Sequence, residues 1–293
     1  MSLITKTDVS ISDSSLLPLG AIRILSIKKG SSVSAADRLV TINGSFTATI
    51  NGDGYFTDSG FTTNQGKTIS FSGNSRHEFY TSDGDYEIFV TPKYGLVEIL
   101  ITSSYLVADL NTFEFTSDLQ ACQLYSTAMN GSVEAFKKST SLISLSVATN
   151  LGNYDGLNGN LDVLTDCPLI GVTLRNSKVS ATMGFLAQKT SLISIDLSNC
   201  PNVSGDISAF ANRNNIRSLN IGGLNPGINT SITGSITSLG KNINALTLSV
   251  AYTGVTGTAA DLAQALADNG KTTGSVVIRP ADGSTTTYNF PLT

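Results

Sequence analysis

One histidine, three cysteines and no tryptophan are the material from which this 293-residue chain could build a reactive centre. A Ser/His/Asp triad would have to use His77, and His77 lies in Ser75-Arg76-His77-Glu78, beside a turn-rich stretch where a surface histidine is the plain reading. No HExxH, GxSxG or P-loop occurs, and Gly52-Asp53-Gly54 runs on into Tyr55-Phe56-Thr57 instead of a dinucleotide fingerprint. Carboxylates gather at Asp83/Asp85 and around Asp155/Asn158/Asn160. Neither group has the terminal glutamate of a calcium loop, so both read as solvated turn residues. Cys122, Cys167 and Cys200 form no CxxC, and three cysteines close no disulfide framework. They read as small buried hydrophobes. A polysaccharide-acting enzyme would need a carboxylate pair in a groove, and none stands out. The expectation is a non-enzymatic protein with no catalytic residue, no cofactor and no metal.

Composition points the same way. Charged residues are 14% of the chain, with 18 basic and 22 acidic residues and a net charge of −4. Without a basic block, nucleic acid is not an expected partner. Ser, Thr, Asn and Gly take the place of charge at the surface, as in β-rich extracellular or virion proteins. The opening Met1-Ser-Leu-Ile-Thr-Lys-Thr-Asp8 is no basic-then-apolar secretion signal. No apolar run approaches the roughly 18 residues of a membrane span, so no membrane insertion is expected.

The elements that must position any site follow from one recurring pattern, apolar-x-x-apolar-x-apolar. It appears as Leu96/Ile99/Ile101, Leu119/Cys122/Leu124, Leu142/Leu145/Val147, Leu169/Val172/Leu174, Leu192/Ile195/Leu197, Ile216/Leu219/Ile221 and Ile243/Leu246/Leu248. The starts lie 23, 23, 27, 23, 24 and 27 residues apart. Side chains alternate along a strand, so each copy supplies one short strand with an apolar inner face. A single copy cannot bury that face, but stacked copies bury a continuous core. A return leg recurs as well: Gly131-Ser-Val133, Gly159-Asn-Leu161, Gly205-Asp-Ile207, Gly234-Ser-Ile236 and Gly257-Thr-Ala259, with Ala181-Thr-Met183 in the fourth copy.

These residues resemble the leucine-rich-repeat family. The nearest single copy is Leu192-x-x-Ile195-x-Leu197-x-x-Cys200 followed by Val203-Ser-Gly205-Asp-Ile207, similar to the longer extracellular-type repeat. The resemblance covers about 170 of the 293 residues. The family's buried Asn/Cys ladder position holds Ser104, Thr127, Asn150, Ser177, Cys200, Leu224 and Ala251, so only Asn150 and Cys200 match. That mismatch predicts bend carbonyls short of side-chain partners and irregular, shallowly curved turns. A generic β-helix is the competing architecture.

The resulting expectation is a β-rich solenoid. It is a leucine-rich-repeat coil of about seven turns, with an N-terminal antiparallel β domain and a short C-terminal helix plus β-hairpin cap. Residues 1–35 read as an arm, with a strand around Ile22 and Ile24. Residues 36–93 read as antiparallel strands: Leu39–Ile42, Phe46–Ile50, Thr68–Phe71, Glu78–Tyr80 and Tyr86–Val90. Their turns fall at Asn43-Gly44, Asn51–Gly54, Asn64–Gly66, Ser72–Asn74 and Ser82–Asp85. The solenoid spans 94–270. Its return legs give single helical turns at Val133–Ser139 and Phe185–Gln188, and a true helix over the Ala259–Leu266 stretch, stopped at Gly270. Residues 271–293 form the cap, as two strands around Asp282-Gly283.

The outward strand positions stack into one face, and its candidate binding residues are Gln123, Tyr125, Ser146, Thr173, Arg175, Asp196, Asn220 and Thr247. Interface hot spots favour clustered Tyr, Trp and Arg. Here Tyr125 and Arg175 are isolated among small polar residues, as on a flat docking or glycan-facing surface. Gly/Ser/Thr/Asn-rich repeats with a β-rich head look like virion-associated proteins of tailed bacteriophages and like surface proteins of gut anaerobes. The first expectation is a head or tail decoration or fibre protein, assembled in the host cytoplasm. Its partners would be other virion or surface proteins and a host-surface glycan or protein, with a homo-oligomer left open. The alternative is an adhesion module on a bacterial cell surface.

Overall fold

The computed structural model describes residues 21–26, 34, 37–73, 75–101, 105–114, 116–126, 130–149 and 156–292. Most of the expected arm, the ladder positions Ser104, Thr127 and Asn150, and Asp155 lie outside the described residues. The repeated triplets do form rungs. Strands at Ala121–Ser126, Ser144–Thr149, Gly171–Thr173, Ser194–Asp196, Ser218–Asn220 and Thr247–Ser249 pair in parallel, each with the next. On one side the sheet continues in parallel into Gly274–Arg279, whose antiparallel partner is Thr286–Phe290. On the other it continues in parallel into the end of Tyr86–Ile101, and from there into antiparallel strands. The whole is one 15-stranded sheet. The chain is thus a leucine-rich, mostly parallel β solenoid.

Inward side chains of every rung are fully buried, among them Cys122, Leu145, Val172, Ile195, Leu219 and Leu248. Each Leu or Ile removed from water in this way contributes on the order of 1.5–3 kcal/mol. The return legs are tight helical turns: Val133–Lys138, Leu161–Val163, Ile207–Phe210 and Ile236–Leu239 are 3-10, and Met183–Gln188 is α-helical. The last leg, Ala259–Asp268, is a longer α-helix with a Thr258/Asp261 capping box. A short polar side chain, Asp, Ser, Asn or Thr, starts all of them. Asp109, Ser132, Asn160, Thr182, Asp206, Ser235 and Thr258 each stand at the N-cap and accept from a backbone N–H of the first turn. In five copies the residue before that cap is a glycine at positive φ. Gly234 (φ 106°) shows why: a Cβ there would stand 2.2 Å from Asp206 Oδ1 of the preceding turn.

Several expectations are corrected. Asn43-Gly44 is not a hairpin turn: Leu39–Asn51 is one strand, and Gly44 sits where its pairing shifts register, as in a bulge. The strand expected at Tyr86–Val90 runs on to Ile101, across the expected boundary between residues 93 and 94. It therefore belongs to the antiparallel unit and to the first rung at once. Ile22–Ser26 is a strand of the same sheet, paired with both Tyr86–Val90 and Leu106–Ala108.

The last rung was read two residues out of step. Leu219 pairs with Leu248, so the buried triplet is Ala245/Leu248/Val250, and Leu246 is 61% exposed. Ala245 is fully buried. With the register corrected, the ladder position moves from Ala251 to Thr253. Among the described residues the ladder is then not broken as expected. Ser177 Oγ donates to Leu174 O (2.8 Å), Cys200 Sγ donates to the same carbonyl (3.0 Å), and Thr253 Oγ1 donates to Val250 O (2.6 Å). Where Leu224 leaves the ladder, 57% exposed, Asn229 replaces it and donates Nδ2–H to Ile221 O (2.7 Å).

The opposite bend has its own series, three residues beyond an apolar return-leg residue: Thr116, Ser139, Cys167, Lys189, Arg213 and Asn242. Ser139 Oγ donates to Thr116 O (2.9 Å), and Lys189 Nζ to Cys167 O (2.9 Å). Arg213 reaches Ala187 O (2.9 Å), Lys189 O (3.0 Å) and Leu192 O (2.6 Å), closing the end of the preceding helical turn.

Two predictions follow from these bends. Gly234→Ala forces an L-residue into the left-handed region against Asp206 and is expected to destabilise by about 1–3 kcal/mol. Gly184→Ala, in an exposed helical position with open space around it, is expected to be neutral or stabilising by up to about 1 kcal/mol. Urea denaturation of both variants checks the pair, and equal effects would refute the explanation. The second prediction concerns acid. Hydrogen bonds from Ser208, Thr258 and Ser284 hold Asp206, Asp261 and Asp282 below the usual carboxylate range, and those from Thr62 lower Asp58 to about 2. Folded pKa values below unfolded ones give stability that is present above the unfolded value of about 3.9 and lost as pH falls through the folded values. Tm is expected to drop between about pH 4 and pH 2. The Tm gap between wild type and Asp261→Asn is expected to shrink over that window, and a gap constant down to pH 2 would contradict it.

Candidate functional site

The residues that could have done chemistry are committed elsewhere. The His77 ring stacks on Phe71 (centroids 4.7 Å apart) and its Nε2 lies 3.1 Å from Ser75 Oγ. Asp83 is ion-paired with the fully buried Arg38, which also donates to Ser26 Oγ (2.8 Å). Asn160 caps a helical turn, and Glu134 accepts from its backbone N–H (3.1 Å). All three cysteines are buried, and burial pushes every thiol up, that of Cys200 to about 11. A thiol so held is neither a nucleophile nor a metal ligand at neutral pH. Among the described residues no three His, Cys, Asp or Glu side chains gather where they could hold a metal ion.

What the fold does build is the outward face of the parallel sheet. Strand pairing sets its side chains in rows about 4.8 Å apart. The middle row reads Leu100, Gln123, Ser146, Thr173, Asp196, Asn220, Ser249, Arg279. Five of the eight expected binding residues are in it. Thr247 lies in the neighbouring row, with Ser194 and Ser218. Tyr125 and Arg175 lie two residues further along their strands than Gln123 and Thr173. Tyr125 Oη and Ser146 Oγ are 2.6 Å apart, while Arg175 Nε is 3.4 Å from Asp196 Oδ2. Asp196 Oδ1 accepts from Ser198 N (3.1 Å) and Ser198 Oγ (2.7 Å), so that carboxylate is partly used in holding the strand end.

Two features of the face were missed from sequence. One is its far end, where Arg279 extends the row from Ser249 into the C-terminal hairpin. The other is a rim. Ile143, Ile170 and Ile193 precede three successive strands, Arg217 precedes the next and Leu246 the one after, and their backbones are linked across turns: Ile170 N to Ile143 O (2.8 Å), Ile193 N to Ile170 O (2.9 Å), Arg217 N to Ile193 O (2.8 Å), Leu246 N to Arg217 O (2.8 Å). Ile143 is 37% exposed and Ile170 43% exposed, in contrast to the fully buried leucines just before them. The signal was the dipeptide itself. In Leu142-Ile143, Leu169-Ile170 and Leu192-Ile193 the first residue points inward, so the second cannot.

No protein-family model matches the chain, and no curated protein matches it in sequence. Solved structures are similar in coil type. The plant peptide hormone receptor RGFR1 is 19% identical over 55% of this chain and 28% of its own, with a TM-score of 0.39. The LRR ectodomain of the membrane receptor kinase GASSHO1/SCHENGEN3 from Arabidopsis thaliana is 19% identical over 59% of this chain and 23% of its own, with a TM-score of 0.42. Internalin C2 from Listeria monocytogenes is 13% identical over 60% of this chain and 78% of its own, with a TM-score of 0.36. The chain thus spans about a quarter of the length of the two plant receptors.

Proposed function

We propose that the chain is a non-enzymatic interaction module that docks a partner protein on the outward face of its parallel sheet. The observation that carries this reading is the rim of Ile143, Ile170 and Ile193. Ile143 and Ile170, exposed on successive rungs with the half-buried Ile193 next to them, form an apolar edge beside a row of short polar residues, of the kind partners cover, and the exposed Arg217 separates that edge from Leu246. The adjoining row of Ala121, Ser144, Gly171, Ser194 and Ser218 is low, so a partner can lie against the isoleucines without steric obstruction. Low charge along the middle row limits the desolvation penalty of covering it.

The setting is an extension of this proposal. A virion assembled in a host cytoplasm, or a bacterial cell surface, fits a chain of which only 14% of the residues are charged. Co-sedimentation with assembled particles favours the first, and its absence beside retention on cell envelopes favours the second.

The docking face is tested with Ile143→Glu/Ile170→Glu. We expect binding to a captured partner to fall by at least about tenfold, at an unchanged Tm. Lys138→Glu, on an exposed position of a return leg, is expected to bind as wild type. Undiminished binding by the double variant, with loss in Lys138→Glu, would overturn the reading.

A further inference from the structure

The middle row of the face ends in Asn220, Ser249 and Arg279, and the last two each hold a buried polar atom without a hydrogen-bond partner. Asn220 pairs across to Ser249, and Ser249 across to Arg279. Ser249 is only 2% exposed although it stands at an outward position, and its Oγ has no hydrogen-bond partner. Arg279 Nε is likewise buried and unbonded. Among the described residues Arg279 has no ion pair. Arg23 and Arg38, which are more deeply buried, are paired with Glu87 and Asp83, although the Nε of each is also buried and unbonded.

An unsatisfied buried donor costs on the order of 1–3 kcal/mol, and two adjacent ones are a cost the fold does not need for its own closure. The pairing of the hairpin with the sheet runs through backbone groups, so neither side chain is required for it. The three groups share one property: all can donate. The nearest acidic residue in the row, Asp196, lies beyond Asn220 and is occupied by Arg175 and Ser198.

The geometry points to a carboxylate-binding position at this end of the face, with Arg279 as the principal donor and Ser249 and Asn220 beside it. This rests on the docking face proposed above and names the chemistry of what docks: a partner that presents a carboxylate at the C-terminal end of the sheet while its apolar part covers the isoleucine rim. The guanidinium edge is planar and presents two parallel donors, which match the two oxygens of a carboxylate. The flexible arginine side chain shifts to open Nε and the serine hydroxyl to the incoming oxygens. No bond is made or broken.

The test needs no partner and therefore fails separately from the capture experiment. The side-chain Nε–Hε resonances of the intact chain are followed while sodium acetate is titrated in at constant ionic strength against sodium chloride. The Arg279 signal is expected to shift saturably, and by at least about threefold more than that of Arg217, an exposed arginine that serves as the internal reference. Ser249→Ala is expected to weaken the acetate response by about fivefold, and Arg279→Gln to remove it. A glutamate-containing peptide and glucuronate, used as competitors, distinguish a protein from a glycan carboxylate. Equal shifts at Arg279 and Arg217, or an acetate response reproduced by chloride, would overturn the assignment. So would a response unchanged in Ser249→Ala and Asn220→Ala together.

Discussion

The hydrogen-bond spacing between parallel strands governs this structure. Each rung must lie about 4.8 Å from the last, and the chain must leave and regain that spacing every two dozen residues or so. Everything at the bends answers to this demand. Glycines before the caps permit a close approach that a Cβ would block, and the caps satisfy backbone donors freed by the turn. On the opposite side Ser139, Lys189 and Arg213 collect carbonyls that the tight legs cannot satisfy themselves. The core is what drives stacking, but it is permissive about shape. The bends decide that successive turns superpose.

Continuity of the sheet has a second consequence. Because Tyr86–Ile101 pairs antiparallel on one side and parallel on the other, the N-terminal unit and the solenoid share backbone hydrogen bonds as well as one continuous hydrophobic core. The first rung's edge is thereby covered, and the hairpin at Gly274–Phe290 covers the last in the same way. A sheet continued at both ends leaves its outward face as an extended surface with a repeating chemistry.

Much of this was legible in the sequence, and the failures have physical causes. Leu145, Val172 and Ile195 were readable as core because alternation and a steady period act together. The last rung was misread because Ile243/Leu246/Leu248 satisfies the same apolar pattern as Ala245/Leu248/Val250. Only strand pairing distinguishes them, and an alanine at the first position gives a weak signal. The ladder looked broken for the same reason, and because Asn229 fills its place from outside the expected register. Asn43-Gly44 carries the residues of a hairpin turn, but in a long strand a positive-φ glycine serves a bulge equally well. On the face, Gln123, Ser146, Thr173, Asp196 and Asn220 were recoverable from alternation alone. Arg279 was not, since its strand belongs to a hairpin with no repeat signature. The isoleucine rim was concealed by the leucines beside it.

The central claim, that the triplets form consecutive rungs of one in-register sheet, is tested most directly by a distance across the rungs. Glu98 and Thr247 share a row through Ala121, Ser144, Gly171, Ser194 and Ser218. Spin labels at Glu98→Cys and Thr247→Cys, with the buried native cysteines left unmodified, can be measured by pulsed electron–electron resonance. The account predicts one narrow distribution centred near the six strand spacings between them, about 29 Å. A broad distribution, or a mean beyond roughly 40 Å, would show that the rungs do not stack in this order.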